Sequence, residues 1–334
     1  MYRKALLGLI ALSVALPRAG HAQTSADERA RAAQERAAER QRVREERDRE
    51  KEEKRRERER ASSLDTVVAF DARGVVIVSC PGGMVTVTGG SRNEIRVHAR
   101  TENGAIRFTA SGMRATLEPS SAGGCSDGKF EITIPATARV TATTWSGEAK
   151  VRGVHGDVEV HSQSGEVDVR DVDRVDVESL SGDVTIAGVK GDASVHTVSG
   201  EIQMSGTRGN VVVETISGDI GLRDVISKSV RAHSSSSEIT FQGTIADAGR
   251  YEFNTHSGEI MLFLPTDLGA GLSLSTFNGG IESDFPITLQ AGPHGIGSSQ
   301  AKRLNFTVGK GTARIVAETF SGDITLKRGG RKEK

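Results

Sequence analysis

Apolar and polar residues alternate with a period of two through the centre of the chain, and this short pattern itself repeats. Each copy is anchored by Ser-Gly-Glu or Ser-Gly-Asp, starting at Ser146, Ser164, Ser181, Ser199, Ser217 and Ser257. Degraded copies start at Ser236 and Asn278, and a last copy starts at Ser321. Successive anchors are 18, 17, 18, 18, 19, 21, 21 and 43 residues apart. A period this short, held over this length, predicts a solenoid.

Each copy contains two short amphipathic segments. Apolar residues stand three and five places after the anchor serine, as in Val184 and Ile186, and four and six places before it, as in Val195 and Ala193. Alternation of this kind indicates strands with one buried face. The anchor glycine is expected to supply the positive φ of a tight corner, and a second corner carries pairs such as Gly191-Asp192.

The repeat therefore predicts an all-β fold, a single-stranded parallel β-helix of roughly 18–21 residues per coil. We expect equivalent strands to stack in parallel about 4.8 Å apart, and the coil to be right-handed on the general rule for parallel crossovers. The predicted solenoid covers residues 64–326. It divides into irregular first coils or a cap (64–145), regular repeats (146–281), and a loop with the final coils (282–326).

The N-terminus has the features of an export signal. Residues 1–22 combine a basic start, a short apolar run and small residues before a cleavage site after Ala22, which predicts a secretory signal peptide. The apolar run is too short to span a bilayer comfortably, and no second such run follows. We therefore expect an exported protein, located in the periplasm, at the cell surface or secreted, with no membrane span in the mature chain.

A charged helical or disordered arm is predicted over residues 23–63. Between Asp27 and Arg60 there are 14 Lys and Arg residues against 12 Asp and Glu residues, and no apolar face. A solvated helix is the favoured interpretation, because the mixed signs argue against the alternative, a polyelectrolyte arm that binds anionic envelope polymers. A basic, disordered tail is expected over residues 327–334.

Composition narrows the classes of function. The chain has 44 basic and 44 acidic residues, so no charge imbalance indicates nucleic acid as a partner. Aromatic residues make up 4% of the chain, which suits a narrow aliphatic core. No nucleophile elbow, zinc-protease motif or phosphate-binding loop is present. We therefore predict no enzyme and no cofactor; a carbohydrate-active enzyme is the less favoured alternative.

Stacked repeats turn sequence positions into columns, and one column is acidic. It lies two residues after the anchor and contains Glu148, Glu166, Asp183, Glu201, Asp219, Glu238, Glu259 and Asp323. Stacked like charges repel. The favoured interpretation is that the carboxylates reach water or accept hydrogen bonds at the corner, and the alternative is that they bind Ca²⁺.

Three further columns precede the anchor. The first alternates histidine with glutamate and is predicted to face outward, forming cross-strand pairs, with a transition-metal site as the alternative; it contains His161, Glu178, His196, Glu214 and His233. The second is a hydroxyl column from Thr144 to Thr319, expected inside the corner. The third is apolar, and either forms an exposed contact surface or turns inward; it contains Trp145, Leu180, Val198, Ile216, Phe277 and Phe320.

Cys80 and Cys125 are the only cysteines. In an exported protein such a pair is a disulfide candidate, and two separate thiols are the alternative. Two cysteines without a cluster of further ligands do not predict a zinc site.

The recurring Ser-Gly-Glu/Asp-Ile/Val pattern resembles the bacterial "putative adhesin" domain family over about residues 64–326. The resemblance includes Gly82 to Gly89 near the start and Thr319 to Ile324 at the end. It implies an exported β-solenoid envelope protein and carries over no catalytic residues. The charged arm and the cysteine pair depart from the common pattern.

Taken together, the sequence predicts a non-enzymatic binding or scaffold protein of the bacterial cell envelope. Its expected partner is an envelope polymer or a surface protein. The alternative is a structural envelope element that associates with itself through the ends of the solenoid.

Overall fold

The structure, a computed structural model, describes residues 36–52, 62–102, 104–120, 125, 127–286 and 302–329. The chain forms two compact units, Met1–Arg56 and Glu57–Lys334. In the first unit, residues 36–52 form a helix whose side chains are almost all exposed, as expected for a segment without an apolar face. The predicted signal peptide lies outside the described residues. In the part of the chain that is described, no helix has the length and apolarity needed to cross a membrane.

The second unit is all-β, with its strands joined in one sheet. The strands of the N-terminal part are β1 (Ser62–Ala69), β2 (Val75–Cys80), β3 (Met84–Gly90), β4 (Glu94–Thr101), β5 (Ile106–Ser111), β6 (Arg114–Pro119), β7 (Lys129–Pro135) and β8 (Arg139–Thr144). The central strands are β9 (Ala149–Arg152), β10 (Asp157–Ser162), β11 (Val167–Val172), β12 (Arg174–Ser181), β13 (Val184–Val189), β14 (Ala193–Ser199), β15 (Ile202–Ser205) and β16 (Val211–Ser217). The C-terminal strands are β17 (Ile220–Ser236), β18 (Ile239–Ser257), β19 (Ile260–Leu264), β20 (Ala270–Asn278), β21 (Ile281–Ser283), β22 (Lys302–Val308), β23 (Ala313–Ser321) and β24 (Ile324–Arg328).

The central strands pair in parallel, one coil apart. On the first long side β10, β12, β14 and β16 follow one another, and on the second β9, β11, β13 and β15 do so. The register places each apolar residue opposite its equivalent, for example Val177 opposite Val195 and Val195 opposite Val213. These side chains are fully buried. The repeat thus aligns its apolar positions into one continuous aliphatic core.

Each coil also has a short third side. Its inward positions are Val154, Val172, Val189, Thr207 and Val225, all fully buried. Thr207 places a hydroxyl in a column otherwise made of valines, and that hydroxyl has no hydrogen-bond partner among the described residues. The third side closes the core between the two long sides.

Glycine is required at the anchor mainly because neighbouring coils approach closely there. Positive φ is a further reason at only some of these positions. Gly182 and Gly200 have positive φ (119° and 128°), whereas Gly165 does not. The anchor glycines face a backbone carbonyl oxygen of the neighbouring coil: a Cβ would lie 1.7 Å from Gly147 O at Gly165, and 2.3 Å from Gly182 O at Gly200. The prediction of positive φ therefore holds for only part of the column.

A further corner was not recognised in the sequence. Left-handed residues recur at Gly153, Asp171, Gly188, Gly206 and Asp224, with φ between 51° and 72°. Aspartate and glycine share this corner because a short polar side chain tolerates the left-handed conformation. Because this position holds Gly in some coils and Asp in others, a repeated glycine alone does not reveal the column.

At the C-terminal end, the order of coils in space differs from their order in the chain. Strand β23 pairs in parallel with both β18 and β20, and β24 with both β19 and β21. The final coil is therefore inserted between two earlier coils. The expectation that successive coils stack in sequence order is wrong here, because a repeat pattern records the shape of a coil and not its neighbours.

The N-terminal end is built in a similar way. Strand β2 lies between β6 and β8, and β3 lies between β7 and β9. Antiparallel strands then cover this end: β5 pairs with β6, and β4 pairs with both β7 and β1. At the other end β22 covers β20, also antiparallel. These strands provide the caps that a solenoid requires.

The predicted boundaries of the solenoid differ from the structure by two residues at each end. The first strand begins at Ser62 where residue 64 was predicted, and the last ends at Arg328 where 326 was predicted. The strand therefore includes the first two residues of the predicted basic tail. Residues 287–301, which include most of the loop predicted over residues 284–299, lie outside the described part of the chain.

Candidate binding surface

The apolar column before the Ser-Gly corner is exposed. We call Trp145, Leu180, Val198, Ile216, Phe277 and Phe320 the apolar stripe; their exposed fractions lie between 41% and 55%. Of the two interpretations that the sequence left open, the structure supports the exposed one. The stripe is the obvious candidate for a contact surface, since large apolar side chains in solvent are otherwise unfavourable.

The hydroxyl column explains why the stripe points outward. Thr144, one residue before Trp145, is buried and donates a hydrogen bond to Gly147 O at 2.9 Å, and its oxygen accepts one from Gly147 N at 3.2 Å. Ser162 makes the same pair of bonds with Gly165. Because alternate residues of a strand face opposite sides, an inward hydroxyl places the next side chain in solvent.

The register gives the order of side chains along the stripe. From one end to the other the positions are Trp145, Gln163, Leu180, Val198, Ile216, Ser235, His256, Phe320 and Phe277. Eight spacings of about 4.8 Å give a length of about 38 Å. The stripe is thus a long, narrow surface with apolar residues at both ends and two polar interruptions.

The aromatic end of the stripe depends on the inserted final coil. Phe320 lies between His256 and Phe277, and its ring stacks on each at a centroid distance of 4.9 Å. The predicted apolar column contains the two phenylalanines but not His256, and the sequence does not place the three residues together. Their separation of 43 residues gave no signal that they are neighbours in space.

The His/Glu column runs beside the stripe and forms the predicted cross-strand pairs. His161 Nδ1 lies 3.2 Å from Glu178 Oε2 on the next strand, and its Nε2 lies 3.0 Å from Glu159 Oε1. His196 Nδ1 lies 3.3 Å from Glu214 Oε2. Carboxylates contact both ring nitrogens of His161, whereas His196 Nε2 lies 3.1 Å from Ser194 Oγ, so both imidazoles have partners on two sides.

A shallow groove separates the stripe from the His/Glu column. Near Trp145 it has a volume of about 450 Å³. It is lined there by Trp145, Gln163 and Leu180 on one side and by His161 on the other. It continues past Glu178, His196 and Val198. The surface therefore offers an apolar wall and a hydrogen-bonding wall to anything that lies along it.

The acidic column is held by hydrogen bonds at the corner. Asp183 Oδ1 accepts a bond from Glu201 N at 3.0 Å, and Asp219 Oδ1 accepts one from Glu238 N at 3.1 Å. Glu201 and Glu238 instead bond along their own strands, to Gln203 Nε2 at 2.6 Å and Thr240 Oγ1 at 3.1 Å, and Glu259 accepts a hydrogen bond from Thr325 of the neighbouring coil at 3.2 Å. Within the described residues, no group of three or more His, Cys, Asp or Glu side chains is arranged to hold a metal ion.

One outward carboxylate on the second long side is almost fully buried. Asp168 accepts bonds from Arg152 at 3.0 Å and from Arg170 at 2.7 Å. Burial raises the pKa of the Asp168 carboxyl, but the hydrogen bonds and charges of the two guanidinium groups outweigh it and bring the pKa below its ordinary value. This triad lies apart from the stripe and is a structural feature.

The cysteines are joined in the structure. Cys80 and Cys125 are fully buried and linked by a disulfide, with their Cα atoms 5.6 Å apart. Cys80 ends β2, which pairs with β8 in the coil adjoining Trp145. The disulfide therefore links the N-terminal cap to the coil that borders the stripe.

Comparison with known proteins identifies the family. The profile of the family described as Toastrack DUF4097 matches residues 77–327, about three quarters of the chain. No curated protein matches. Among solved structures, the chain is similar to a "putative adhesin" from Bacteroides fragilis, at 11% identity and a TM-score of 0.38, covering 79% of this chain and 96% of that one.

Two other solved structures are similar at the same level. One is a "putative cell adhesion protein" from Clostridium sporogenes, at 9% identity and a TM-score of 0.22, covering 80% of this chain and 99% of that one. The other is a "putative lipid binding protein" from Parabacteroides distasonis, at 9% identity and a TM-score of 0.33, covering 79% and 96%. These likenesses are too distant to bear on function. The family match, which spans the solenoid, is decisive: the chain belongs to the Toastrack DUF4097 family.

Proposed function

We propose that this protein is an exported, non-enzymatic, adhesin-like binding protein of the bacterial cell envelope. The observation that carries the proposal is the apolar stripe, where large apolar side chains are exposed at six of the nine positions of a row about 38 Å long. Contiguous exposed apolar surface marks interaction sites in soluble domains. The partner is an extended envelope polymer or a surface protein that lies along the row.

The stripe is not a requirement of the fold. The same position in the repeat is occupied by Gln163 and Ser235 on two coils, whose backbone pairing is continuous with that of their neighbours. Polar residues are therefore compatible with this position. The apolar residues at the six positions of the stripe leave surface in water without adding to the core, which a binding role explains.

The adjoining groove supports an extended partner. A chain lying along it would meet the same pairing on three successive coils, an apolar stripe residue beside a carboxylate or imidazole, as in Glu178/Leu180, His196/Val198 and Glu214/Ile216. Repetition at about 4.8 Å favours a ligand that is itself long, because each coil adds a similar small contribution. A compact small molecule would contact only one or two coils and would gain nothing from this repetition.

Several structural details belong to the same proposal. We infer that the coils wind as a right-handed single-stranded parallel β-helix, which the parallel pairing of successive coils supports. We also infer that residues 1–22 are removed on export, and that residues 23–63 precede the solenoid as a charged arm. An oxidising compartment suits the Cys80–Cys125 bridge.

Co-sedimentation with purified envelope fragments tests the binding role. The Leu180→Ser/Ile216→Ser double variant changes two exposed side chains of the stripe. Ile226→Ser is the matched control, because Ile226 is also half exposed but lies outside the stripe. We expect the double variant to lose binding by about tenfold or more, and the control to bind like the unchanged protein. Equal binding by all three proteins would refute the stripe as the contact surface.

Self-association is the second candidate. It is favoured by β1, which in the described part of the chain pairs only with β4 and so leaves its outer edge unpaired. This strand carries a single charge, Asp65, and exposes Val67. Sedimentation velocity over a wide concentration range tests it. Growth of a dimer or longer species would support assembly through the ends, and a strictly monomeric protein would exclude it.

A further inference from the structure

A second pocket lies at the corner between the short third side and the first long side, separate from the stripe. Its charged lining comprises the cations Arg73, Arg139, Arg174 and Lys190, with His155, Asp157 and Asp173 between them. Its volume is about 500 Å³. We call it the basic corner pocket.

The pocket exists because one coil is a residue shorter than its neighbours. The step from Ser164 to Ser181 is 17 residues, where the steps on either side are 18. The neighbouring coils have a residue between the buried valine and the corner glycine, His155 in one and Lys190 in the other. In the short coil Asp173 stands in place of both of these residues. Its N–H donates a hydrogen bond to Val154 O on the preceding coil, and its carbonyl oxygen accepts one from Gly191 N on the following coil. The missing residue leaves a depression in the corner.

The side chains around this depression are arranged in pairs. Asp173 Oδ1 lies 3.1 Å from His155 Nδ1 and 3.2 Å from Lys190 Nζ, across its own coil. Asp157 likewise lies between two cations, with Arg139 Nε at 3.3 Å from one oxygen and Arg174 Nη1 at 3.1 Å from the other. Each carboxylate thus lies between two basic side chains and orients them.

The pocket has an excess of positive charge. Four basic side chains and two carboxylates leave a net charge of +2, that is 4 − 2, with His155 neutral. Arg73 at the rim forms no ion pair among the described residues, so its five donors are available. The remaining lining includes Gly156, where a Cβ would lie 2.2 Å from Ala138 O, so that no side chain fills this part of the corner.

We propose that the basic corner pocket binds a phosphate group. A phosphate offers several acceptor oxygens to a ring of guanidinium and ammonium donors, and arginine forks match its geometry. The excess charge gives the attraction, and Arg73 supplies a cation that no carboxylate of the protein already neutralises. The group is either a small free phosphate or a phosphate carried on an anionic polymer. The site is independent of the apolar stripe.

Isothermal titration calorimetry with inorganic pyrophosphate at low ionic strength tests the proposal. We expect one site per chain, weakened about tenfold by Arg73→Gln, which removes a charge-assisted contact. Arg73→Gln breaks no internal ion pair, so the variant should fold normally, which circular dichroism checks. Arg208→Gln is the matched control: Arg208 is an exposed arginine on the next coil and does not line the pocket. Its affinity should be unchanged.

Long-chain polyphosphate distinguishes the two sources. Tighter binding of polyphosphate than of pyrophosphate, with the same dependence on Arg73, would indicate a phosphate-bearing polymer, and equal site affinity would indicate a small phosphate. Absence of pyrophosphate binding would overturn the proposal. So would an equal loss in Arg73→Gln and Arg208→Gln, which would show attraction to the surface charge as a whole.

Discussion

At the scale of single residues, the spacing between coils decides which side chain is allowed. The anchor glycines lie against backbone carbonyl oxygens of the neighbouring coil, so that at Gly165 and Gly200 even a methyl group does not fit; Ser237 is the one other residue at this place in the repeat. The repeat of Ser-Gly was visible in the sequence, but the reason for it was only partly predicted. Positive φ is a property of one residue, whereas close approach depends on the coil below it, which sequence periodicity alone does not describe.

Gly200→Ala tests this account. A Cβ at residue 200 would lie 2.3 Å from Gly182 O, in a backbone with a φ of 128°. We expect a loss of about 2–4 kcal/mol in the free energy of unfolding, measured by urea denaturation. Gly112→Ala is the control, because a Cβ there meets nothing within 4 Å. A similar small effect of both substitutions would contradict the close-approach argument.

Thr207→Val should stabilise the protein. The Thr207 hydroxyl is buried without a partner among the described residues, in a column of valines. Removing it relieves the cost of an unsatisfied polar group, by about 1 kcal/mol in thermal unfolding. Thr197→Val is the contrasting variant, since Thr197 Oγ1 donates to Ser199 O at 3.2 Å. That substitution should destabilise, and a gain in stability from it would undermine the argument.

At the scale of elements, adjacent strands are joined by buried polar groups as well as by the core. Asp168 on β11 bonds to Arg170 on the same strand and to Arg152 on β9. The sequence placed Asp168 between two apolar residues and predicted only an outward polar position. Its burial depends on two long arginine side chains that fold over it, which alternation of residue types does not show.

Asp168→Asn should make stability less sensitive to acid. The folded-state pKa of Asp168 is lowered, so its carboxylate contributes fully above the unfolded-state value of about 3.9 and is lost as pH falls through the folded value. We expect the variant to be less stable by about 1–3 kcal/mol at neutral pH, discounted for the half-exposed arginines. The difference should shrink below about pH 4. A difference that stays constant with pH would contradict this assignment.

The Cys80–Cys125 bridge is the other element-scale constraint. It closes a sequence separation of 45 residues around the N-terminal cap. On the loop-entropy argument, its removal should cost about 4 kcal/mol. We expect the Cys80→Ser/Cys125→Ser variant to lose protection from hydrogen exchange first in β4 to β7, with the central coils less affected. Uniform loss across the solenoid would indicate that the cap and the coils unfold together.

At the scale of the whole molecule, the sequence predicted the class of fold and the composition of each coil, but not the arrangement of the ends. The strands and the inward apolar residues follow from a period that any one copy carries, whereas the exposure of the stripe was left open by the sequence and is decided by the structure. The insertion of β23 between β18 and β20 does not follow from that period, because pairing between coils whose anchors are 64 and 43 residues apart leaves no periodic signal. That insertion brings Phe320 between His256 and Phe277 and completes the aromatic end of the stripe.

The most direct test of the central claim is the fluorescence of Trp145, the only tryptophan in the chain and 53% exposed. Acrylamide quenching is measured with and without purified envelope fragments. If the stripe is the binding surface, fragments that capture the protein should shift the emission to shorter wavelength and reduce quenching, since the indole leaves water. Capture of the protein with the emission and quenching of Trp145 unchanged would contradict the account, because the contact would then lie elsewhere on the molecule.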